Sequence, residues 1–283
     1  MKQLARQARR IFLLALLGGL LAATMVRLSP GFGTDEQDLS LALSDASRKA
    51  LHAEHMADAN IARFYCRFLG GILKGDFGFS RTLNRPISEL LKERLPETLE
   101  SVGYGMGGGL LLGIGLAAAT IVWRARVGGI LADGSSGLLL SLPAAVLALL
   151  FLWAGANGKW AIALLVFPHV YRYAKNILVE SSARPHVLAA RARGLSRTRI
   201  LLTHIVWPAA PQLIAVSGIS ASLAFGASIP VEAICDMPGI GQLVWKAALS
   251  RDLPLLVTIT ILVSLMTMTV NAAADLFAHD ADR

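Results

Sequence analysis

Apolar residues run along this chain in blocks of membrane-spanning length, separated by polar stretches. The blocks lie at about 11–28, 98–122, 128–153, 160–178, 206–231 and 254–276. Each is near the ~20 residues that a helix needs to cross the hydrocarbon layer of a bilayer. Helices are expected because unpaired backbone donors and acceptors cannot be left in lipid. The pattern therefore predicts an all-α, polytopic membrane protein with six transmembrane helices. Its parts are an N-terminal tail with the first transmembrane helix (1–28), a segment outside the membrane (29–97) and a five-helix core (98–283). Within 29–97, Leu39, Leu41 and Leu43 alternate with polar residues, and Ile61, Phe64, Tyr65 and Phe68 recur at helical spacing. The second group predicts a helix lying on the outer membrane surface or on the bundle.

Composition supports lipid as the solvent. Of the 283 residues, 54% are hydrophobic and 16% charged, with a mean hydropathy of +0.56; a soluble chain carries about 25% charged residues. Lys2, Arg6, Arg9 and Arg10 followed by an apolar run have the form of a signal peptide. The run ends in Met25-Val26-Arg27-Leu28 without a small-x-small cleavage site, so an uncleaved first helix is expected.

The net charge of +8 is unevenly placed. The N-terminal basic residues, Arg124 and Arg126, and then Arg172, Lys175, Arg184, Arg191, Arg193, Arg197 and Arg199 fall on alternate flanks of the six blocks. The positive-inside rule assigns those flanks to the cytoplasm. Both termini are then cytoplasmic and 29–97 is external. The charge reports topology, so nucleic acid is a poor partner for it.

Small residues crowd two blocks. Gly103, Gly105, Gly107, Gly108, Gly109, Gly113 and Gly115 lie in the second, and Ser217, Gly218, Ser220, Ala221, Ser222, Ala224 and Gly226 in the fifth. Small residues one turn apart let helix backbones approach closely. Ser217, Ser220 and Ser222 also give the fifth block a hydroxyl-bearing face suited to lining a polar pathway.

Catalytic chemistry is not visible. Gly158-Lys159 lacks the upstream glycine and the hydroxyl residue of a phosphate loop. His52, Glu54 and His55 have no further ligand nearby, so no metal is expected. Cys66 and Cys235 read as idle thiols rather than a bridge. Arg27, Glu100, Asp133, Glu180 and Asp275 sit near block ends, where side chains reach the headgroups. A proton relay would need ionisable groups deeper in the bundle.

The richest motif runs from His186 to Ser196 (HVLAARARGLS) and on through Arg199 to His204. It predicts a short amphipathic helix, a glycine break, a serine cap and a returning helix. This loop resembles the coupling loop of ABC importer permeases. Further stretches resemble the dipeptide, oligopeptide and nickel branch of that family. These are Gly75-Asp76-Phe77-Gly78-Phe79-Ser80, Arg85-Pro86-Ile87, Glu93 to Glu100, Val231-Glu232-Ala233-Ile234, Met237 to Gly241, Arg251 to Pro254, and Asn271 to Asp275. In order and spacing they cover most of 70–280.

The resemblance implies a permease subunit of an ATP-driven importer in the inner (cytoplasmic) membrane, itself not an enzyme. It implies that 184–204 docks on the ATPase through Val187, Leu188, Ala190, Arg191, Gly194, Leu195 and Ser196. It implies that Asp76, Ser80, Glu232, Pro238, Gly239 and Gly241 frame the outer gate or meet the binding protein. The implied partners are a second, homologous permease subunit, two cytoplasmic ATPase subunits and an external substrate-binding protein. No cofactor is expected in this chain; ATP and Mg are expected on the ATPases. The substrate class implied is a short peptide or a nickel complex. Departures are also present. The family often carries Glu where Leu188 stands, residues 154–159 form a shortened outer loop, and Pro230 is expected to interrupt the fifth block. The alternative is a secondary transporter or channel without ATPases, which predicts midplane ionisable residues or broken helices in paired halves.

Overall fold

Long apolar runs favour helices, and helices make up almost all of the computed structural model, which describes residues 2–28, 61–72, 75–123 and 126–281. In chain order they are α1 (Lys2–Leu28), α2 (Ile61–Ile72), α3 (Ile87–Trp123), α4 (Arg126–Ser141), α5 (Ala144–Trp153), α6 (Gly158–Ser182) and α7 (Pro185–Ala192). The single turn α8 (Arg197–Arg199) leads into a π-helical segment, Ile200–Val206, and then α9 (Trp207–Ile234), α10 (Ile240–Leu249) and α11 (Leu253–Ala281). A two-stranded antiparallel hairpin, β1 (Phe79–Ser80) and β2 (Arg85–Pro86), precedes α3. The expected feature at Leu39–Leu43, the histidines at 52 and 55, and the side chain of Cys66 lie outside the described residues.

Among the described residues, three helices are long and apolar enough to cross a membrane: Ile87–Val122, Arg197–Ile234 and Leu253–Ala274. Counting Gly128–Ser141 with Ala144–Trp153 as one broken span gives four. The apolar run of α1, Ile11–Met25, is shorter.

Two expectations are corrected. The block 128–153 is not one continuous helix but bends by 99° between α4 and α5. Pro143 causes this, because it has no N–H to continue a helix and sits in extended backbone as the N-cap of α5. The helix that carries the second block starts ahead of it, at Ile87, and runs through Pro96. Pro230 does not interrupt the fifth block, for α9 continues to Ile234. A proline in such a helix costs one backbone bond, and neighbouring groups in a bundle tolerate it.

The described chain packs as two units. One comprises Met1–Arg94 with Leu243–Leu265. Here Ala15 and Ala23 of α1, Tyr65 of α2, and Leu253, Val257 and Ile261 of α11 form an apolar cluster. The Tyr65 hydroxyl donates to the carbonyl of Leu16, pinning α2 to α1.

The other unit comprises Leu95–Gln242 with Met266–Arg283. Its core lies where α6 packs against α3, α4, α5 and α9. The glycine ladder of α3 shows why those small residues are there. A Cβ at Gly105, Gly109 or Gly113 would stand 2.3, 2.7 or 2.6 Å from Ile162, Val166 or Val170 of α6. Two ladders with the same spacing thus mesh, and glycine sets the close approach. Polar groups lock α4 to α6: Asp133 accepts from the Tyr171 hydroxyl at 2.9 Å and pairs with Lys175. Lys159, at the start of α6, bridges Glu97 at 3.1 Å and Glu100 at 2.8 Å on α3.

Candidate functional site

The hairpin between α6 and α9 forms as its residues dictate. Pro185 opens α7 at a position where a missing N–H is harmless. Helix α7 ends at Ala192, and Gly194 follows in left-handed backbone at φ +75°. Its N–H donates to the Arg191 carbonyl at 3.0 Å. Ser196 then caps α8 by accepting from the N–H of Arg199 at 3.4 Å. Val187 and Ala190 are buried, and Leu195 is half-buried, against Leu178, Ile200 and Ile205. Leu188 is 57% exposed, and Arg191 is exposed beside it. The hairpin therefore has one face in the bundle and one free.

A π-helical segment roots this hairpin, and Pro208 explains it. In an α-helix the ring of Pro208 would press on the carbonyl of His204, and Pro208 has no N–H to offer that carbonyl. A wider turn relieves the clash, and the N–H of Trp207 reaches the Leu202 carbonyl instead. His186 of α7 supplies the missing donor, its Nε2–H reaching the His204 carbonyl at 2.9 Å. Ser181 donates likewise to the Ile205 carbonyl at 3.0 Å. Thr203 gives its proton to the Arg199 carbonyl, so His204 Nδ1–H donates to Thr203. The sequence reading put His186 at the head of the motif without a role, and Pro208 just inside α9 was the signal for one.

The Pro-Gly-x-Gly turn after α9 closes on a buried carboxylate. Glu232 is fully buried. Its Oε2 accepts from the Thr98 hydroxyl at 3.0 Å and from the N–H of Gly241 at 2.7 Å. The N–H of Ile240 in turn donates to Thr98 Oγ1 at 2.7 Å. The carboxylate thus takes one N–H at the start of α10, that of Gly241, and reaches the N–H of Ile240 only through Thr98. Both glycines are required by space. A Cβ on Gly239 would lie 2.1 Å from Glu232 Oε2, and one on Gly241 would lie 2.7 Å from Ile229 Cα. Pro238 is exposed at the tip of this turn.

The Gly75–Ser80 motif forms a separate structure. Gly75 and Gly78 adopt φ +79° and +77°, and Asp76, itself exposed, accepts from the N–H of Gly78 at 2.9 Å. Ser80 is buried and donates to Asp252 Oδ2 at 2.6 Å. Asp252 also accepts from the N–H of Thr82 at 3.1 Å and, through Oδ1, from that of Leu255 at 3.3 Å, capping α11. Arg85 pairs with Glu93 on both carboxylate oxygens, and that hydrogen bonding holds its guanidinium pKa above the usual value.

Asp252→Ala is expected to lower the melting temperature of the solubilised chain more than Asp252→Asn. Loss of a cap costs ~0.5–2 kcal/mol, and each buried donor left unpaired ~1–3 kcal/mol. Asn keeps one acceptor oxygen at the site. Equal melting temperatures for the two variants would show that the carboxylate oxygens carry no such burden.

The serines of α9 face several ways. Ser217 and Ser220 bond to carbonyls of their own helix, and Ser220 is buried. Ser222 accepts from the Asn271 amide of α11 at 2.7 Å. Gly218 lets Asn271 approach, since a Cβ there would lie 3.1 Å from Asn271 Oδ1.

The family model for the inner membrane component of binding-protein-dependent transport systems matches residues 109–282, more than half of the chain. The chain belongs to that family, and it is a permease subunit of an ABC importer. It is similar to the glutathione transport system permease protein GsiC of Salmonella paratyphi A, 27% identical over 229 residues and 75% of each chain. It is also similar to a putative peptide permease protein of Brucella ovis, 26% identical over 295 residues and 92% of each chain. A putative peptide transport system permease protein of Brucella abortus is 25% identical over 246 residues, 76% of this chain and 77% of the relative.

Proposed function

We propose that this chain pairs with a second, homologous permease subunit to form the pathway of an importer for short peptides. The similarity to glutathione and peptide permeases supports that substrate class over a nickel complex. Two cytoplasmic ATPase subunits bind ATP and Mg and grip the 184–204 hairpin. An external binding protein delivers the substrate. The observation that carries this reading is the hairpin itself: α7 is anchored by Val187 and Ala190, turns at a left-handed Gly194, and keeps Leu188 free. A rigid lever of this kind transmits movement of a docked partner to α9.

Six spans remain the best reading, made of α1, α3, the bent pair α4 and α5, α6, α9 and α11. Helix α6 carries Arg172, Lys175 and Glu180 and is less apolar than α9 and α11. It compensates by burying Ile162, Val166, Val170 and Tyr171 among protein neighbours. Trp153 and Trp160 flank the 154–159 loop, and Trp207 lies at the opposite end of α9 from Glu232. All three are more than half exposed, which suits residues at the two membrane interfaces. Both termini and the hairpin then lie in the cytoplasm.

Reporter fusions test this. A reporter after Arg126 or Arg193 is expected to be cytoplasmic, and one inserted near Asp58 external. An external Arg193 overturns the topology and with it the role of the hairpin.

A further inference from the structure

Helix α6 carries a charge at half depth that the chain itself does not neutralise. Exposed tryptophans set the two membrane levels: Trp160 stands near the start of α6, and Trp207 opens α9 at the other side. Ser181 donates to the carbonyl of Ile205, so the end of α6 is level with the start of α9. Trp160 and Ser181 are 21 residues apart, or ~31 Å along a helix at ~1.5 Å per residue. That matches a hydrocarbon layer of ~30 Å. Arg172 lies twelve residues past Trp160, or ~18 Å along the same helix. It therefore stands near the middle of the span, and Lys175 is one turn further on.

Arg172 is exposed, and among the described residues no carboxylate lies within ion-pair distance of it. Lys175 differs, because Asp133 of α4 pairs with it and also accepts from the Tyr171 hydroxyl. Arg172 does not reach for the cytoplasmic headgroups either. A Cβ on Gly137 would lie 3.5 Å from its Nη2, which puts the guanidinium over Gly137. Gly137 is one turn beyond Asp133 on a helix that leaves the cytoplasmic flank at Arg126. The guanidinium is thus held on the outward side of the Asp133–Lys175 pair.

A charged side chain at this depth faces a water-filled cavity or a neighbouring helix. Asp133, Gly134 and Ser135 of α4 are exposed beside it, so this side of α4 and α6 is polar. A dry contact with the second permease subunit would strip water from Asp133, Lys175 and Arg172 together. Desolvating three charges costs more than one new ion pair returns. A hydrated pathway leaves all three in water.

We propose that this face lines the pathway and that Arg172 holds the carboxylate of the passing solute, which for a short peptide is its C-terminus. This rests on the peptide-importer reading above and adds to it a substrate subsite at half depth. The planar fork of arginine binds a carboxylate through two parallel hydrogen bonds. Asp133 neutralises Lys175, so the grip comes from the guanidinium alone. Such a site attracts the solute and still lets it leave, as a pathway requires.

The test uses the full importer, with its second permease subunit, ATPases and binding protein, in proteoliposomes. Two thiol-free probes are followed, trialanine and S-methylglutathione. Arg172→Gln is expected to lower ATP-driven uptake of both roughly tenfold or more, the loss of a charge-assisted hydrogen bond, while the ATPases co-purify as before. Arg172→Lys is expected to keep part of the uptake. A second variant, Arg172→Cys with Cys66→Ser and Cys235→Ser, reads the surroundings of position 172 directly. A positively charged, membrane-impermeant methanethiosulfonate is expected to modify its thiol, and either peptide is expected to slow that reaction severalfold during turnover. An aminoethyl reagent, which returns an ammonium to the position, is expected to restore uptake in part. A thiol that is never modified overturns the proposal and assigns Arg172 to a dry contact with the second subunit. Modification that neither peptide slows, or normal uptake in Arg172→Gln, overturns it as well. If the unsubstituted importer moves neither probe, the peptide reading itself fails and the subsite falls with it.

Discussion

Gly194→Val is expected to leave the chain inserted in the membrane at normal amounts while ATP-driven uptake falls roughly tenfold or more. Gly194 holds φ +75°, a conformation that a side chain with a Cβ resists. For an ordinary residue the cost is on the order of 1–2 kcal/mol, and a β-branched residue is a worse fit. Within the chain itself a Cβ at Gly194 meets nothing within 4 Å. The damage is therefore to the backbone turn and to whatever docks there, and it does not reach the bundle core. Val187 and Ala190 still anchor α7, so insertion persists, but Leu188 and Arg191 are presented at the wrong angle. Gly194→Asn separates the two effects, because Asn accepts left-handed backbone more readily. It is expected to retain coupling better than Val. The paired measurement is pull-down of the ATPase subunits and substrate-stimulated hydrolysis in reconstituted membranes. If both match the unsubstituted protein in Gly194→Val, residues 184–204 are not the coupling element.

The features of this fold that were legible in the sequence are those set by local chemistry. The helix, glycine and serine of the hairpin each have a preference that acts within a few residues, and the backbone follows them. The glycine ladder Gly105, Gly109 and Gly113 was legible as a close-packing face, though not its partner. The bend at Pro143 was hidden by the unbroken apolar run on either side, which hydropathy counts and geometry does not. The early start of α3 was hidden by the charges of 89–100, which suit an aqueous helix as well as a loop. The knot at Glu232 was beyond local reasoning. Its partner Thr98 lies 134 positions away, and only the packed chain brings them together. The role of His186 was missed for the same reason, since its acceptor is freed by a proline on another helix.

Glu232→Ala and Gly241→Ala are expected to lower uptake strongly while the ATPases still co-purify. In Glu232→Ala, the N–H of Gly241 and the Thr98 hydroxyl lose their acceptor inside a buried knot. Each unpaired buried donor costs ~1–3 kcal/mol. Glu232→Gln keeps an oxygen for both donors and is expected to be milder. In Gly241→Ala the new Cβ would stand 2.7 Å from Ile229 Cα and 2.8 Å from the Ser228 carbonyl oxygen. Those are backbone atoms of α9, so no side chain can swing aside, and overpacking of this kind costs ~1–3 kcal/mol. The turn must lift away from α9, which separates Gly241 from Glu232 and exposes the carboxylate. The hairpin at 184–204 lies at the other end of α9 and keeps its own hydrogen bonds. Binding of the ATPases is therefore expected to persist when the turn opens. Transport assays with co-purification decide the matter: lost uptake with retained ATPases marks the turn as part of the outer gate or the binding-protein contact. Loss of the ATPases together with uptake would show instead that the turn only closes the fold.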